Sequence, residues 1–348
     1  MSCLKVAGEP TMSDQSLPPF LQALLHPDRY NHPVQEVQLV QTHISSVLLA
    51  GDYVYKFKKP VNFGFLDFSD LDKRHYYCEQ ELVLNRRLCP DIYLALVTVT
   101  KETDGSFTLN GQGQVVEYGV KMVRMPEERM MPRLIHSGEL NRGHIDRLVA
   151  VLSDFYQRAE GGGDIAAFGT ARAVAVNVLE NFDQTQGSIG QGALTREQFD
   201  RISQYARDVL DREDLFEHRI AGGCIRDCHG DLYSANICLA DKVYIFDCIE
   251  FNQRFRYCDV ASDVAFLAMD LDFHGLDQLS QYFIDQFCRQ SGDTGLMTML
   301  NFYKCYRAYV RGKIGLFTAG DPAVDTSTRE TCLQQAARYF QLAERYVG

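Results

Sequence analysis

The sequence predicts an α+β protein whose first third is rich in antiparallel strands and whose remainder is helical. Two observations carry this. β-branched and aromatic runs separated by short turns fill residues 37–124, and apolar patterns of helical period fill most of the chain beyond residue 126. A third feature stands in the helical part: an acid, a carboxamide and a second acid, Asp231, Asn236 and Asp247, set among short apolar runs.

Composition narrows the class. A chain of 348 residues suits one large or two modest domains with ample core. Its net charge of −11 argues against nucleic acid as a partner, which would call for a basic face. No run approaches the roughly 18 apolar residues that span a membrane. Met1 to Ser16 lacks the apolar core of a secretion signal. A cytoplasmic protein without membrane contact is expected. The eleven cysteines are odd in number and lack paired CxxC spacing, so they read as reduced, mostly buried thiols. Cys224, Cys228 and His229 have no second ligand pair of zinc-site spacing.

Residues 1–34 read as an N-terminal extension with a short helix, Pro19 to Leu25, and Met12 offers a second start. From 35 to 126 the texture is β. Strands are expected at 37–42, 47–50 and 53–58, the last two joined by a Gly51-Asp52 hairpin turn. Alternation along Tyr53 to Lys58 puts Tyr53, Tyr55 and Phe57 on one face and Val54, Lys56 and Lys58 on the other. An apolar side chain two before a lysine could touch a base while the ammonium reaches a phosphate. An edge strand with solvated lysines is the plainer alternative.

Residues 71–88 read as a helix with Tyr77, Glu81, Leu84 and Leu88 on one stripe. Glu81 therefore faces inward, where a carboxylate needs a partner, and Lys56 is the natural one. Glu79 points away. Strands follow at 93–100, 106–109 and 115–124, and Met125-Pro126-Glu127 ends the last. Helices are expected at 139–158, 170–184, 195–214, 260–272, 276–290, 295–317 and 326–346, making 127–348 a helical part that carries the acid–amide–acid loop.

That loop reads His229-Gly230-Asp231-Leu-Tyr-Ser-Ala-Asn236, followed by a strand, a turn, a second strand and Ile245-Phe246-Asp247. Phosphoryl transfer needs such a set: one group to orient a hydroxyl and two oxygen donors for magnesium. Asp231, Asp247 and Glu250, crowded in sequence, would repel one another without a cation. A polar turn, with Asp as a cap and Asn as a turn residue, is the structural alternative.

On these residues the sequence resembles the aminoglycoside phosphotransferase and choline kinase family. Tyr55-Lys-Phe-Lys-Lys-Pro-Val-Asn-Phe-Gly-Phe-Leu-Asp-Phe68 and Asp247-Cys-Ile-Glu-Phe-Asn252 look like an uncharacterised bacterial branch often fused to a P-loop gluconate-kinase-like domain. No GxxxxGK[ST] occurs in this chain, so a P-loop kinase partner would be encoded separately. The resemblance covers roughly residues 18–345. It implies a protein-kinase-like two-lobed fold, with a small β-rich N-lobe and a larger helical C-lobe. It also implies ATP and Mg2+ as cofactors and a small-molecule hydroxyl as substrate.

Roles follow by resemblance. Asp231 would be the catalytic aspartate, and Asn236 and Asp247 the metal ligands. Lys56 would contact the phosphates and pair with Glu81. Val54 would touch the base, and Met122 to Pro126, including Arg124 and Met125, would form the hinge that meets adenine. Asp259 would brace the catalytic loop from below, with His229 as a second brace. Glu250 would be a supporting acid at the metal or the substrate.

The sequence departs from protein kinases. No glycine-rich loop precedes Lys56; Gln41 to Val47 stands there, with Thr42, Ser45 and Ser46 or backbone amides as candidate phosphate contacts. Gly230 replaces the arginine before the catalytic aspartate, and no Ala-Pro-Glu follows Asp247. Arg307, Arg311, Asp263, Asp270 and Asp272 read as solvated helix faces, with anion binding or cleft lining as alternatives. Arg254 and Arg256 could touch phosphate or fix the loop. The expected activity is transfer of a γ-phosphoryl group to a small-molecule hydroxyl. A protein-directed kinase, a nucleotidyltransferase and a non-catalytic nucleotide-binding module are the alternatives.

Overall fold

A computed structural model describes residues 17–322 and 324–348. The chain forms two compact units: one runs to Leu134 and takes in Ala235–Asn252, the other comprises Ile135–Ser234 and Gln253–Gly348. The first half of the expected N-terminal extension lies outside the described residues.

In the first unit, helix α1 (Pro19–Leu24) precedes strands β1 (Val37–Gln41), β2 (Ser45–Ala50) and β3 (Tyr53–Lys58). Helix α2 (Leu71–Asn85) and strands β4 (Tyr93–Lys101), β5 (Phe107–Leu109) and β6 (Gln114–Val123) follow. The six strands form one antiparallel sheet of order β1-β2-β3-β6-β4-β5. β3 is thus an inner strand, which overturns the edge-strand alternative. Its Tyr55 and Phe57 enter a core with Leu21 and Leu24 of α1 and with Leu48, Val97 and Val99. Gly119 lies opposite Phe57 across β3 and β6, where a Cβ would come within 2.5 Å of the phenyl ring. Only glycine leaves room for that ring.

Asp70 starts α2 by accepting the Lys73 amide at 2.8 Å, an N-cap that satisfies one orphan helix donor. The helix ends at Asn85, one turn before the expected Leu88. The strand pair Ile237–Leu239 and Val243–Ile245 packs with this unit, with the Cys89 thiol donating to the Ile245 carbonyl at 2.9 Å.

The second unit is helical. Its centre is the helix Val260–Phe273, buried on every side from Val260 to Asp272. Around it stand Arg142–Arg158, Asp277–Ser291, Leu296–Gly320 and Thr326–Arg345, and farther out Ala171–Thr185 and Arg196–Leu210. The expected helix 195–214 is instead two helices, Arg196–Leu210 and Glu213–Ala221, because Arg212 leaves helical geometry with ψ 69°. A short antiparallel pair, Ile225–Asp227 with Tyr257–Asp259, leads into the loop that carries Asp231. Among the described residues no helix is long and apolar enough to cross a membrane.

Candidate active site

Strand period and helix period together build a charged ladder in the first unit. β3 presents Lys56 and Lys58 on one face, and α2 presents Glu81 toward them. Lys56 Nζ lies 2.9 Å from Glu81 Oε1 and 2.5 Å from Asp247 Oδ1. Lys58 donates to the other Glu81 oxygen, Oε2, at 2.7 Å and pairs with Glu250 Oε1. The order is Asp247–Lys56–Glu81–Lys58–Glu250, with charges alternating throughout. The side chains of Lys58 and Glu81 are 1% exposed, whereas Lys56 and Asp247 keep 15% and 23%. The ladder is therefore closed at the Lys58 end and open to solvent at Lys56 and Asp247.

Burial opposes every one of these charges, and the neighbours reverse that for most. Burial pushes the Lys56 ammonium down, but Asp247 and Glu81 hold it well above the usual lysine range. Burial raises the Glu81 carboxyl, yet the two lysines bring it below its ordinary value. Asp247 is likewise raised by burial and then held well below the carboxylate range by Lys56. Glu250 alone stays raised, because burial outweighs Lys58. Such a network is favourable only when each member keeps its partner.

Asp247 adopts φ 63°, in the left-handed region. A non-glycine residue there is strained and needs its surroundings to hold it. Its own amide donates to Tyr93 Oη at 3.2 Å, and the next amide, of Cys248, donates to Asn85 Oδ1 at 2.9 Å. The Phe246 amide donates to the Asn236 carbonyl at 3.0 Å, which ties the two expected metal ligands into one short segment. Asp247 and Asn236 offer hard oxygen donors of the kind magnesium accepts alongside phosphate and water. Among the described residues no group of three or more His, Cys, Asp or Glu is arranged to hold a metal.

Asp231 belongs to the second unit, 7% exposed on a loop whose backbone is suspended from the central helix. Asp263 accepts the His229 amide at 2.7 Å and the Gly230 amide at 3.0 Å. Two turns along the same helix, Asp270 accepts the Ser234 amide at 2.9 Å. Arg307 donates to the Gly230 carbonyl at 3.0 Å and stands 3.7 Å from Asp263. His229 is fully buried, and its Nδ1 accepts the Asp231 amide at 3.3 Å. Gly230 has φ 85°, which a residue with a Cβ adopts only at a cost.

These contacts correct several expectations. The acid that holds the loop amides is Asp263. Asp259 instead binds Arg219 through both oxygens, at 2.9 and 2.7 Å, and caps the central helix by accepting the Ala261 amide. Asp263, Asp270 and Asp272 are not solvated, since each is buried. Arg307 is buried as well. Arg256 donates to Asp227 at 2.5 Å and Arg254 to Glu180 at 2.8 Å, so both fix structure in their own unit.

The remaining expected residues lie in the sheet. Val54 pairs with Leu49 and Met122 on the Lys56 face of β3. Beyond β6, the Arg124 amide donates to the Asp52 carbonyl at 2.8 Å; the Arg124 side chain is exposed and Met125 half-buried. The 41–47 hairpin is less open than expected. Ser45 and Ser46 are buried, and Thr42 Oγ1 accepts the amides of Ile44 and Ser45 at 3.3 and 2.9 Å. Those two amides are used within the hairpin.

Sequence reasoning missed Lys58 as a partner of Glu81, and Asp263, Asp270 and Arg307 as supports of the loop. The two acids lie beside the stripe of Val260, Val264, Leu267 and Leu271, at the edge where a carboxylate is ordinarily solvated.

No protein-family model matches the chain. Two uncharacterized mycobacterial proteins, from Mycobacterium bovis and Mycobacterium tuberculosis, are 34% identical over 300 residues, which is 84% of this chain. The chain spans 58% of the length of these relatives. Among solved structures, the amicoumacin kinase hAmiN in complex with AMP-PNP, Ca2+ and amicoumacin superposes with a TM-score of 0.52 at 12% identity, over 93% of this chain and 92% of that one. The chain has a kinase-like fold. A choline/ethanolamine kinase family protein from Mesorhizobium loti aligns with a TM-score of 0.48 at 11% identity, over 91% of this chain and 93% of that one. The resemblance carried by the His229 to Asp247 segment is thus borne out as a fold, α+β and kinase-like.

Proposed function

We propose that the protein is an ATP- and magnesium-dependent phosphotransferase that moves the γ-phosphoryl group to a hydroxyl of a small molecule in the cytoplasm. The observation that carries this reading is Lys56 bridging Glu81 and Asp247, at 2.9 and 2.5 Å, at the open end of the charged ladder. A kinase-like site needs a lysine for the phosphates, fixed by an acid on the neighbouring helix, next to an acid for the metal. The fold shared with a kinase solved with AMP-PNP supports the same reading.

Each residue has a task. Lys56 would meet the nucleotide phosphates, and Glu81 would fix its direction. Asp247 and Asn236 would hold magnesium, which when bound neutralises charge on the transferring group. Asp231, on the loop suspended from Asp263, would orient the acceptor hydroxyl and take its proton. Val54 would line the base, and the 122–126 backbone, with Arg124 and Met125, would meet adenine.

The test is a metabolite panel incubated with Mg-ATP and read by mass spectrometry. A phosphorylated hydroxyl compound, with ADP released, is the expected result. A nucleotidylated product, or phosphate on a protein, would replace this reading by another.

A further inference from the structure

The kinase reading leaves Lys58 and Glu250 without a task. Glu250 lies three residues beyond Asp247, where the sequence suggests a further metal acid, but its Oε1 is paired with Lys58. Its side chain is 6% exposed and that of Lys58 is 1% exposed. Burial pushes the Lys58 ammonium down, yet Glu250 and Glu81 more than compensate.

The decisive feature is how Glu81 is divided. Its Oε1 faces Lys56 at 2.9 Å and its Oε2 accepts from Lys58 at 2.7 Å. One carboxylate thus serves two ammonium groups on the same strand face. Lys58 has three donors and no solvent, so without a second anion it would draw on both Glu81 oxygens. Glu250 supplies that anion. A second link joins the same two elements: Cys248 donates to Asn85, whose side-chain amide donates to the Glu81 carbonyl at 2.9 Å.

We infer that Glu250 is a positioning residue: it holds Lys58 and so leaves Glu81 Oε1 to orient Lys56 toward the nucleotide phosphates, rather than ligating the metal. This rests on the phosphotransferase reading. It predicts an asymmetry between single and double substitution. With Glu250 neutral, Lys58 competes for Glu81 and Lys56 loses its orientation. With Lys58 also neutral, Glu81 returns to Lys56 alone.

The test compares wild type, E250Q, K58M, K58M/E250Q and D247N with Mg-ATP. For E250Q the expected result is a KM for ATP raised about 10-fold, a kcat changed less, and an unchanged magnesium midpoint, as for a lost buried partner. K58M/E250Q should recover to within about 3-fold of the wild-type KM, the non-additivity that marks a coupled pair. A magnesium midpoint shifted in E250Q as in D247N would overturn the proposal. So would a double variant as impaired as the product of the two singles. If wild type turns over no ATP, the phosphotransferase reading fails separately. The pairing is then read from thermal midpoints of the same variants, where additive losses overturn it.

Discussion

Lys56 Nζ lies 2.5 Å from Asp247 Oδ1, across 191 residues of chain. The contact joins an inner strand to a residue held at φ 63°, and it lies at the solvent-accessible end of an otherwise buried run of charges. A lysine so placed can exchange an acid for a phosphate without leaving its strand.

Lys56→Met should therefore abolish turnover while the chain still folds. Removing one preorganised charge from a developing transition state costs at least about 100-fold in kcat. Steady-state ADP release, with circular dichroism to verify folding, checks this. Turnover within a few-fold of wild type would remove Lys56 from the phosphate side.

Asp263 and Asp259 should separate function from scaffold. Asp263→Asn replaces one of the two oxygens that accept the loop amides by an NH2 donor, and should lower kcat with a smaller change in KM for ATP. Asp259→Asn breaks a buried pair with Arg219 and should cost about 3 kcal/mol of stability, while the enzyme that remains folded keeps its kcat. Urea unfolding and kinetics on both variants test the contrast; loss of kcat confined to Asp259→Asn would reverse the assignment.

Lys313 predicts a pH dependence. Burial pushes its ammonium down to about 8 from 10.5, Glu180 opposes this, and Arg254 adds to it; the ammonium donates to the neutral Gln184 Oε1 at 2.8 Å. A lysine depressed in the folded state binds fewer protons there than when unfolded. It therefore costs stability below about 8, and stability recovers as pH rises from about 8 to 10.5. Lys313→Met should be more stable than wild type at pH 7, and the difference should shrink across that window. Urea midpoints of both proteins measure it, and a difference independent of pH would contradict it.

Gly119→Ala should destabilise by about 1–3 kcal/mol, because overpacking a filled core forces shifts. The new methyl would meet the Phe57 ring at 2.5 Å. Gly119→Ala with Phe57→Leu should recover part of the loss in thermal melts.

Much of this was legible in the sequence, for reasons that differ by residue. Two simple periods bring Lys56 and Glu81 together: alternation along Tyr53 to Lys58, and the four-three-four stripe of α2. All six sheet strands are visible because turns bound them. Asp263 and Asp270 were not legible as supports, because acids beside an apolar stripe usually mark its solvated edge. The helix Val260–Phe273 is buried all round and has no such edge. Lys58 was misread for a similar reason, since a second lysine on a strand suggests solvent and β3 lies inside the sheet. The break at Arg212 carries neither glycine nor proline, so nothing in its neighbourhood announces it.

The most direct measurement is acceptor-dependent ADP release by wild type and Asp231→Ala side by side, with Mg-ATP binding followed by calorimetry. The account predicts that both bind Mg-ATP and only wild type turns it over. Equal turnover by the two proteins, or no magnesium-dependent ATP binding by either, would contradict it.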